Sequence, residues 1–362
     1  YISGNRCDKP VTGIATSDDL NLYAYKLSLL KSYANKEGEG NKGTIGIPLV
    51  LNMYELLPFW HTFWTSLGYK VKVSPISSHK LYQEGQATIP SDTACYPAKL
   101  SHGHINALAK ENVDAIFYPC MSYNFDEKAG DNHYNCPVVA YYPEVLKDNC
   151  RELENIPFIF DFIDLSNRDE FIKRYPLMLQ KHFPSLKTED IVEAIHAAYK
   201  EYDVHMEDIR KKGKEIIEKA RKENKHIIVL AGRPYHVDPE VNHGIDKLIT
   251  RLGAAVITED SISYLTPKFK TTVLNQWTYH SRLYSAAKYC TEHEDIDLVQ
   301  LVSFGCGLDA ITTDETREIL QSGNKLYTQL KIDEITNLGT VTIRLRSLFA
   351  ALAERKMDKE NH

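Results

Sequence analysis

The feature that most constrains the fold is an alternation of short apolar segments with helical segments, which occurs twice along the chain. The first series begins at residue 44 with TIGIPLVL and continues through the aromatic helical stretch LPFWHTFWTSLG. The second series begins at residue 226 with HIIVLAG. Alternation of this kind is typical of parallel, doubly wound sheets. We therefore predict an α/β protein with two domains of flavodoxin-like or Rossmann-like design.

The segments between the two series divide the chain into four parts. We predict an N-terminal arm and linker over 1–43, a first α/β domain over 44–165, a helical connector over 166–224 and a second α/β domain over 225–362. The arm holds one helical stretch and ends in the Gly-rich linker NKEGEGNKG. The connector carries the charge run RKKGKEIIEKARKENK, which we interpret as a solvated helical face.

Two segments in which proline follows a cysteine lead to different predictions. Pro97, two residues after Cys95, predicts the first position of a helix over 97–112. The segment CPVVAYY, which begins at Cys136, is interpreted as a strand. In the second series, VNHGIDKLITRLG over 241–253 is predicted to be one helix.

Bulk composition excludes several classes of protein. The 362 residues carry a net charge of −6, which gives no case for a nucleic-acid surface. No apolar run approaches the roughly 20 residues that span a bilayer. The first residues lack the basic and apolar regions of a signal peptide, so a cytoplasmic location is expected. The chain starts at Tyr1 rather than Met, which suggests a piece of a longer protein. Neither a P-loop nor a dinucleotide fingerprint occurs, so no nucleotide site is predicted.

Four of the seven cysteines fall where ligands bind in open α/β sheets, at the carboxyl ends of strands. Cys120 follows the predicted strand DAIFYP, and Cys306 follows LVQLVSF between two glycines. Cys95 precedes a helix whose free N–H groups would favour a thiolate. Cys136 follows the polar loop EKAGDNHYN.

These positions leave the chemistry of the thiols open. An odd cysteine count without an export signal disfavours a disulfide framework. An iron–sulfur site, inert buried thiols, a zinc site and a nucleophile paired with His102 or His104 all remain, although zinc lacks a closely spaced cysteine pair. Cys150 and Cys290 are interpreted as core residues, and Cys7 is ambiguous.

A second site-like segment is AGRPYHVDPEVNHG over 231–244. Arg233, His236 and His243 could project from it toward a cleft as catalytic candidates, and Arg233 could hold a carboxylate or phosphate. The alternative interpretation is a rigid turn with hydrogen-bonded histidines. His102 and His104 are two residues apart and cannot share a helical face, and His61 is interpreted as a core histidine.

Several segments together resemble the acyl-CoA dehydratase activase-related family, over about residues 44–350. They are IPLVLNMYELLPFWHTFW, CYPAKLSHGHI, DAIFYPCM, DNHYNCPVVAYYPEV, LAGRPYHVDPEVNHGI, and FGCGLDAITTDETREIL with LKIDEITNLG. This family is similar to the wider superfamily of 2-hydroxyacyl-CoA dehydratases, benzoyl-CoA reductases and double-cubane cluster proteins. Many relatives carry an ATP-hydrolysing activase domain upstream.

The resemblance implies an iron–sulfur redox protein of anaerobic metabolism. It implies a [4Fe–4S] cluster held by Cys95, Cys120 and Cys306, with Cys136 as a fourth ligand, or alternatively a double-cubane [8Fe–9S] cluster. It also implies an ATP-hydrolysing activase as electron donor, a small or acyl-CoA substrate, and a homodimer as one arrangement of the chain.

Two classes of function follow from the resemblance. One is a component of an ATP-dependent reductase or a (R)-2-hydroxyacyl-CoA dehydratase-like system, which uses the activase electron on a substrate. The other is a non-catalytic electron relay or regulatory module. Three thiol ligands and an open iron favour the first class, whereas four ligands favour the second, so Cys136 discriminates between them.

Overall fold

Two four-stranded parallel sheets with flanking helices form the core of the protein. The computed structural model describes residues 18–303, 306–334 and 337–360. Cys7 and the first part of the predicted arm lie outside the described residues, as does Gly305. The predicted α/β fold with two doubly wound units is confirmed. We call the residues around the first sheet the first half of the molecule and those around the second sheet the second half.

The two sheets share one relative strand order. The strands of the first sheet are β1 Thr44–Ile47, β2 Lys70–Val73, β3 Ala115–Phe117 and β4 Phe158–Ile159, in the order β2-β1-β3-β4. The strands of the second sheet are β5 Ile227–Ala231, β6 Ala255–Ile257, β7 Ile296–Ser303 and β8 Thr328–Ile332, in the order β6-β5-β7-β8. In each sheet, successive strands are added first on one side of the first strand and then on the other. The switch points therefore lie between β1 and β3 and between β5 and β7, and open α/β sheets bind ligands at such points.

Helices occupy the connections between the strands. They are α1 Leu22–Ala34, α2 Met53–Ser66, α3 His79–Gly85, α4 Tyr96–Ala109, α5 Pro137–Asn149, α6 Arg168–His182, α7 Thr188–Lys222, α8 Pro239–Asn242, α9 Ile245–Arg251, α10 Thr278–Thr291, α11 Gly307–Ser322 and α12 Leu338–Glu360. Within the described part of the chain, none of these helices is long and apolar enough to cross a membrane.

The aromatic helix α2 anchors the first half. Phe59, Trp60, Phe63 and Trp64 are fully buried, and their rings contact one another edge to face. Burying a side chain of this size contributes about 2–3 kcal/mol. The helix stops before Gly68, whose φ of 86° is a left-handed conformation that glycine adopts without strain. Gly68 therefore takes the C′ position that the sequence predicted.

The prediction of a strand over 136–142 is wrong, because this segment forms the first turns of α5. Pro137 occupies the start of the helix, where its missing N–H costs nothing, and Cys136 is the N-cap. Val139, Tyr142 and Leu146 are buried at helical spacing while Tyr141 is exposed. A strand would have alternated its buried side chains at every second residue.

The single helix predicted over 241–253 is also wrong. It is divided into α8 and α9 by His243 and Gly244, which both adopt left-handed conformations, with φ of 53° and 77°. Two successive left-handed residues cannot continue a right-handed helix. The helical stretch of the arm, in contrast, forms α1 as predicted.

The predicted connector region contains two helices, α6 and α7. The 35-residue α7 packs on α1 and α2, and also on β6 and the turn at 259–261 of the second half. Its apolar stripe includes Ile209, Ile216 and Ala220, so the charged residues of the same stretch lie on the solvent side. The charge run is thus a solvated helical face, as predicted.

A buried ion cluster joins the two halves. Arg282 on α10 is 1% exposed and bonds both carboxylate oxygens of Glu55 on α2. Its Nε and Nη2 also donate to Glu127 at 2.8 and 2.7 Å. Because a buried charge is tolerated only when paired, this guanidinium fixes the first half against the second.

Candidate functional site: a cleft lined by cysteines

Three thiols sit at the N-termini of three helices. Cys95, Cys136 and Cys306 are the N-cap residues of α4, α5 and α11. Cys136 Sγ accepts the backbone N–H of Val139 at 3.4 Å. The unpaired N–H groups at a helix start carry a partial positive charge that favours a thiolate. All three thiols are partly buried, whereas the other described cysteines are buried.

These three thiols share one neighbourhood. Burial raises the pKa of the Cys95 thiol to about 12, with Cys136 and Cys306 acting in the same direction and Arg233 opposing. Burial also raises the pKa of Cys136, and again Arg233 opposes while Cys306 adds. Burial raises the pKa of the Tyr235 hydroxyl well above its usual value, with Arg233 opposing and all three thiols adding to the rise. Two thiols of the first half therefore meet one thiol and one guanidinium of the second.

Arg233 is the charged centre of this cleft. Its Nη2 lies 3.6 Å from Cys306 Sγ and donates to Asp309 Oδ1 at 2.5 Å, while Nη1 donates to Asp309 Oδ2 at 3.4 Å. Asp309 Oδ2 also accepts the Ser303 N–H at 2.8 Å. Burial opposes the charge of Arg233, but Asp309 outweighs it, so the pKa of the guanidinium lies well above its usual value. The candidate carboxylate ligand of Arg233 is thus supplied by the chain itself.

The sheet topology explains why these groups meet. Arg233 follows β5 and Cys306 follows β7, the two strands on either side of the switch point in the second sheet. In the first half, the segment before Cys136 pairs with the segment before α10: Tyr134 N–H donates to Gln276 O at 2.9 Å, and Thr278 N–H donates to Tyr134 O at 3.1 Å. This pairing brings the start of α5 against the second half.

Cys120 lies where the first sheet continues past β3. It is fully buried and continues the sheet, since it forms a parallel bridge with Phe162 and its carbonyl accepts the Ile163 N–H at 2.8 Å. Burial raises the pKa of its thiol to about 12, with further contributions from the carboxylates of Glu144 and Asp161.

His102 contacts a core thiol. Its Nδ1 lies 3.5 Å from Cys150 Sγ and 2.8 Å from Thr88 Oγ1, and its Nε2 lies 3.1 Å from the Tyr142 hydroxyl. Burial lowers the pKa of His102 to about 4. His102 is thus a neutral, hydrogen-bonded core residue, and Cys150 is buried as predicted.

His104 points elsewhere and belongs to a hydrogen-bond chain between the halves. Its Nδ1 lies 2.6 Å from Ser74 Oγ and its Nε2 lies 2.9 Å from Ser77 Oγ. Ser77 donates in turn to Asp238, whose Oδ2 also accepts the Tyr54 hydroxyl at 2.5 Å. Burial raises the pKa of Asp238 to about 6, against the hydrogen bonds of Ser77 and Tyr54. His102 and His104 share no partner, as their spacing predicted.

The two histidine candidates of the second half, His236 and His243, lie in different surroundings. His236 is fully buried beside Arg233, whose backbone N–H donates to His236 Nδ1 at 3.2 Å. His243 Nε2 instead donates to the carbonyl of Asp333 at 2.7 Å. His61 is buried and bonds the carbonyl of Lys36, which agrees with its prediction as a core histidine. Of the three catalytic candidates, Arg233 and His236 lie together, while His243 faces the loop after β8.

The thiols do not form a site for a single ion. Across the described residues, no group of three His, Cys, Asp or Glu side chains is arranged to hold one metal ion. Thiolates that bind different irons of a cubane lie farther apart than thiolates on one ion, so this finding counts against a mononuclear zinc site only. The Tyr118 hydroxyl is fully buried and has no hydrogen-bond partner among the described residues. Burial raises its pKa, and the thiols of Cys120, Cys136 and Cys95 act in the same direction. Such an unpaired donor near three thiols fits a sulfur-rich group in the cleft.

Sequence reasoning missed two members of this site. Asp309 follows the cysteine–glycine pair at the start of α11, and His280 lies in α10 with its Nε2 3.4 Å from Arg233 Nη2. The acidic residue in the first turn of a helix that begins at a candidate cysteine is a usable signal for Asp309. His280 sits in an ordinary amphipathic helix, and its position carries no such signal.

The fold and this cleft define a two-lobed α/β protein with thiols at its interdomain surface. The chain belongs to the family described as CoA enzyme activase uncharacterised domain (DUF2229), whose sequence profile matches residues 44–262. This assignment agrees with the resemblance to activase-related proteins and links the chain to CoA-enzyme activase systems. The match includes Cys95, Cys136 and Arg233 and ends before Cys306.

Two further comparisons add little. No curated protein matches the chain. Among solved structures, the periplasmic zinc-binding protein TroA from Treponema pallidum is similar at 12% identity, over 86% of this chain and 99% of that chain. The TM-score is 0.25, so this likeness carries no argument.

Proposed function

We propose that the chain is an iron–sulfur redox protein that binds one [4Fe–4S] cluster through Cys95, Cys136 and Cys306. The observation that carries the proposal is the meeting of these three N-cap thiols around Arg233 between the two halves. Thiolates are the protein ligands of such clusters, and helix N-termini stabilise the thiolate form. A double cubane contained in one chain is disfavoured, because Cys150 and Cys290 are buried core residues.

The number of available thiols favours a catalytic role over a relay. Three protein ligands leave one iron of a cubane open, where a substrate atom can bind. Cys120, which would make a fourth ligand, is fully buried in the continuation of the sheet, where it pairs with Phe162. When bound, the cluster supplies a site for one-electron transfer. The protein's own groups would hold it in place, with Arg233 placing positive charge beside Cys306 and Asp309 fixing that guanidinium.

Family membership supports the partner and the reaction class. The description of the family names an activase of CoA enzymes, and a cluster in a low-dielectric cleft is costly to reduce. We therefore infer that an ATP-hydrolysing activase donates the electron, and that the reaction is a reduction or a dehydration within the 2-hydroxyacyl-CoA dehydratase superfamily. A small molecule or an acyl-CoA is the substrate.

The test is the iron and acid-labile sulfide content of the full chain, purified without oxygen, with EPR spectra before and after reduction. We expect about four iron and four sulfide per chain. Substitution of Cys95, Cys136 or Cys306 by Ala should each abolish most of the bound iron. An iron-free wild-type chain, or one whose iron survives all three substitutions, would contradict the proposal.

Two matched variants sharpen this test. Cys290→Ala removes a buried thiol from the core of the second half, and its iron content should equal that of the wild type. Cys120→Ala should likewise keep the cluster. If Cys120→Ala loses the cluster while folding normally by circular dichroism, the four-ligand arrangement and the relay function replace the one proposed.

A further inference from the structure

Arg233 fixes the protonation pattern of two buried histidines. A guanidinium group has only donors, so Arg233 Nη2 donates to His280 Nε2 at 3.4 Å. The backbone N–H of the same residue donates to His236 Nδ1 at 3.2 Å. A ring nitrogen that accepts carries no proton. The single proton of each neutral ring therefore sits on His236 Nε2 and on His280 Nδ1.

Both of these N–H groups lack a partner. His236 Nε2 and His280 Nδ1 are buried, and neither has a hydrogen bond to any described residue. The side chains are 0% and 4% exposed, so bulk water does not satisfy them. Buried donors are nearly always hydrogen-bonded, so two of them beside one arginine can serve an oxygen acceptor of a bound molecule.

Their location beside Arg233 separates them from the unpaired groups of the aromatic core. The ring N–H groups of Trp60 and Trp64 are also unpaired, but they lie in the aromatic core around α2. His280 and Cys306 instead contact the same guanidinium nitrogen, at 3.4 and 3.6 Å. His280 thus lies beside the thiol of Cys306, and His236 lies next to the backbone of the same arginine.

We propose that His280 and His236 are substrate-binding residues that donate hydrogen bonds to the carbonyl or carboxylate oxygen of a small substrate in this cleft. Neutral N–H donors suit an oxygen acceptor, and the charge of Arg233 is already balanced by Asp309. The inference rests on the proposed function, in that the cleft around the thiols is taken as the reaction site. A free carboxylate and a thioester share the required acceptor chemistry.

The experiment measures binding of sodium acetate and of acetyl-CoA to the full chain by anaerobic calorimetry, with the iron content determined on the same samples. His280→Leu removes the donor, whereas His280→Asn keeps an N–H near the position of Nδ1. We expect His280→Leu to weaken binding about five- to tenfold and His280→Asn to stay within about twofold of the wild type. Binding of acetate alone assigns a free carboxylate, and binding of acetyl-CoA alone assigns a thioester.

Variants at His236 and His205 serve as controls for this test. His236→Gln keeps a donor near Nε2 and should also bind within about threefold of the wild type, whereas His236→Leu should lose affinity. His205→Leu replaces a buried histidine of α7 and serves as the matched control, with unchanged affinity expected.

Three outcomes overturn the inference: neither probe binds, His280→Leu binds as the wild type does, or His205→Leu loses as much affinity as His280→Leu. The iron measurement separates this inference from the proposed function. Loss of binding in His280→Leu with no iron in any sample sustains the oxygen site and removes the cluster. If His280→Leu keeps its full iron content and binds the probes as the wild type does, the cluster is sustained and the oxygen site is removed.

Discussion

The two halves of the molecule share one strand order but contribute different chemistry to the cleft. The first half presents two thiols, Cys95 and Cys136, each at the start of a helix. The second half presents one thiol together with a buried arginine, its carboxylate partner and two histidines. Topology alone therefore fixes where a site forms, while the loops after the strands decide what it does.

This difference shows how the parts of the site depend on one another. A thiol at a helix start needs little more than its own helix to be stabilised, whereas Arg233 is held by residues from β7, α10 and α11. We expect changes in the first half to act locally and changes in the second half to spread. The following substitutions test that contrast from the largest expected effect to the smallest.

Replacing Arg282 by Leu should give the largest loss, because it leaves the buried Glu55 and the partly exposed Glu127 without their partner at the contact between the halves. We expect the free energy of unfolding to fall by about 3–5 kcal/mol in urea denaturation. Arg168→Ala breaks an exposed pair with Asp203 and should cost less than about 1 kcal/mol. Equal losses in the two variants would show that the buried cluster does not hold the halves together.

Replacing Asp238 by Asn should change the pH dependence of stability. In the folded state burial raises the pKa of Asp238 to about 6, so ionisation is disfavoured relative to the unfolded chain. The cost is absent below about pH 4, grows as pH rises, and is complete above about pH 6, where it is on the order of 2–3 kcal/mol. The stability of Asp238→Asn relative to the wild type should therefore be greater at pH 8 than at pH 4.5 in thermal unfolding. A pH-independent difference would contradict the assignment.

Replacing Gly232 by Ala tests the packing under Arg233. A Cβ at this position would lie 2.0 Å from His236 Nδ1, so the histidine ring must move. We expect a loss of about 2 kcal/mol, measured by chemical denaturation. Gly307→Ala, where a Cβ meets nothing within 4 Å, is the matched control and should be nearly neutral. A neutral Gly232→Ala would mean that the His236 ring is not held in place.

Replacing Tyr96 by Phe should have the smallest effect. The hydroxyl of Tyr96, next to Cys95, donates to Glu240 Oε1 of the second half at 2.9 Å. Loss of this partly exposed hydrogen bond should cost about 1 kcal/mol. Tyr327→Phe, which removes a hydroxyl bond within the second half, gives the comparison. If Tyr96→Phe lowered the free energy of unfolding more than Gly232→Ala does, the first half would be the more sensitive one, contrary to expectation.

The sheets and most helices could be predicted from the sequence, because buried parallel strands and capped helices have strong local patterns. The start of α5 could not, although Pro137 gives the same signal that was used at Pro97. The apolar residues after Pro137 suit a strand and the buried face of a helix equally well, and only the packing of Val139 and Leu146 decides between them. At the start of α5, the proline is thus a better guide to the structure than the apolar run that follows it.

The sequence places several cysteines near strand ends, but it does not specify which of them come together. Cys120 and Cys306 both follow strands, yet the ladder continues past Cys120 through the bridge to Phe162 and holds it in the sheet. Whether a residue at a strand end stays in the sheet or turns over its edge depends on the neighbouring strand, which local sequence does not specify. For the same reason, the contact between His280 and Arg233 could not be foreseen.

The long helix α7 gives the cleft a mechanical property. At 35 residues it is about 52 Å long, and it packs on elements of both halves. A continuous helix resists bending, so the two halves cannot open by a hinge motion while both stay packed on it. The remaining motion is a rotation of one half relative to the other about the axis of α7. Such a rotation would move the thiols of the first half past Arg233 of the second half without widening the cleft.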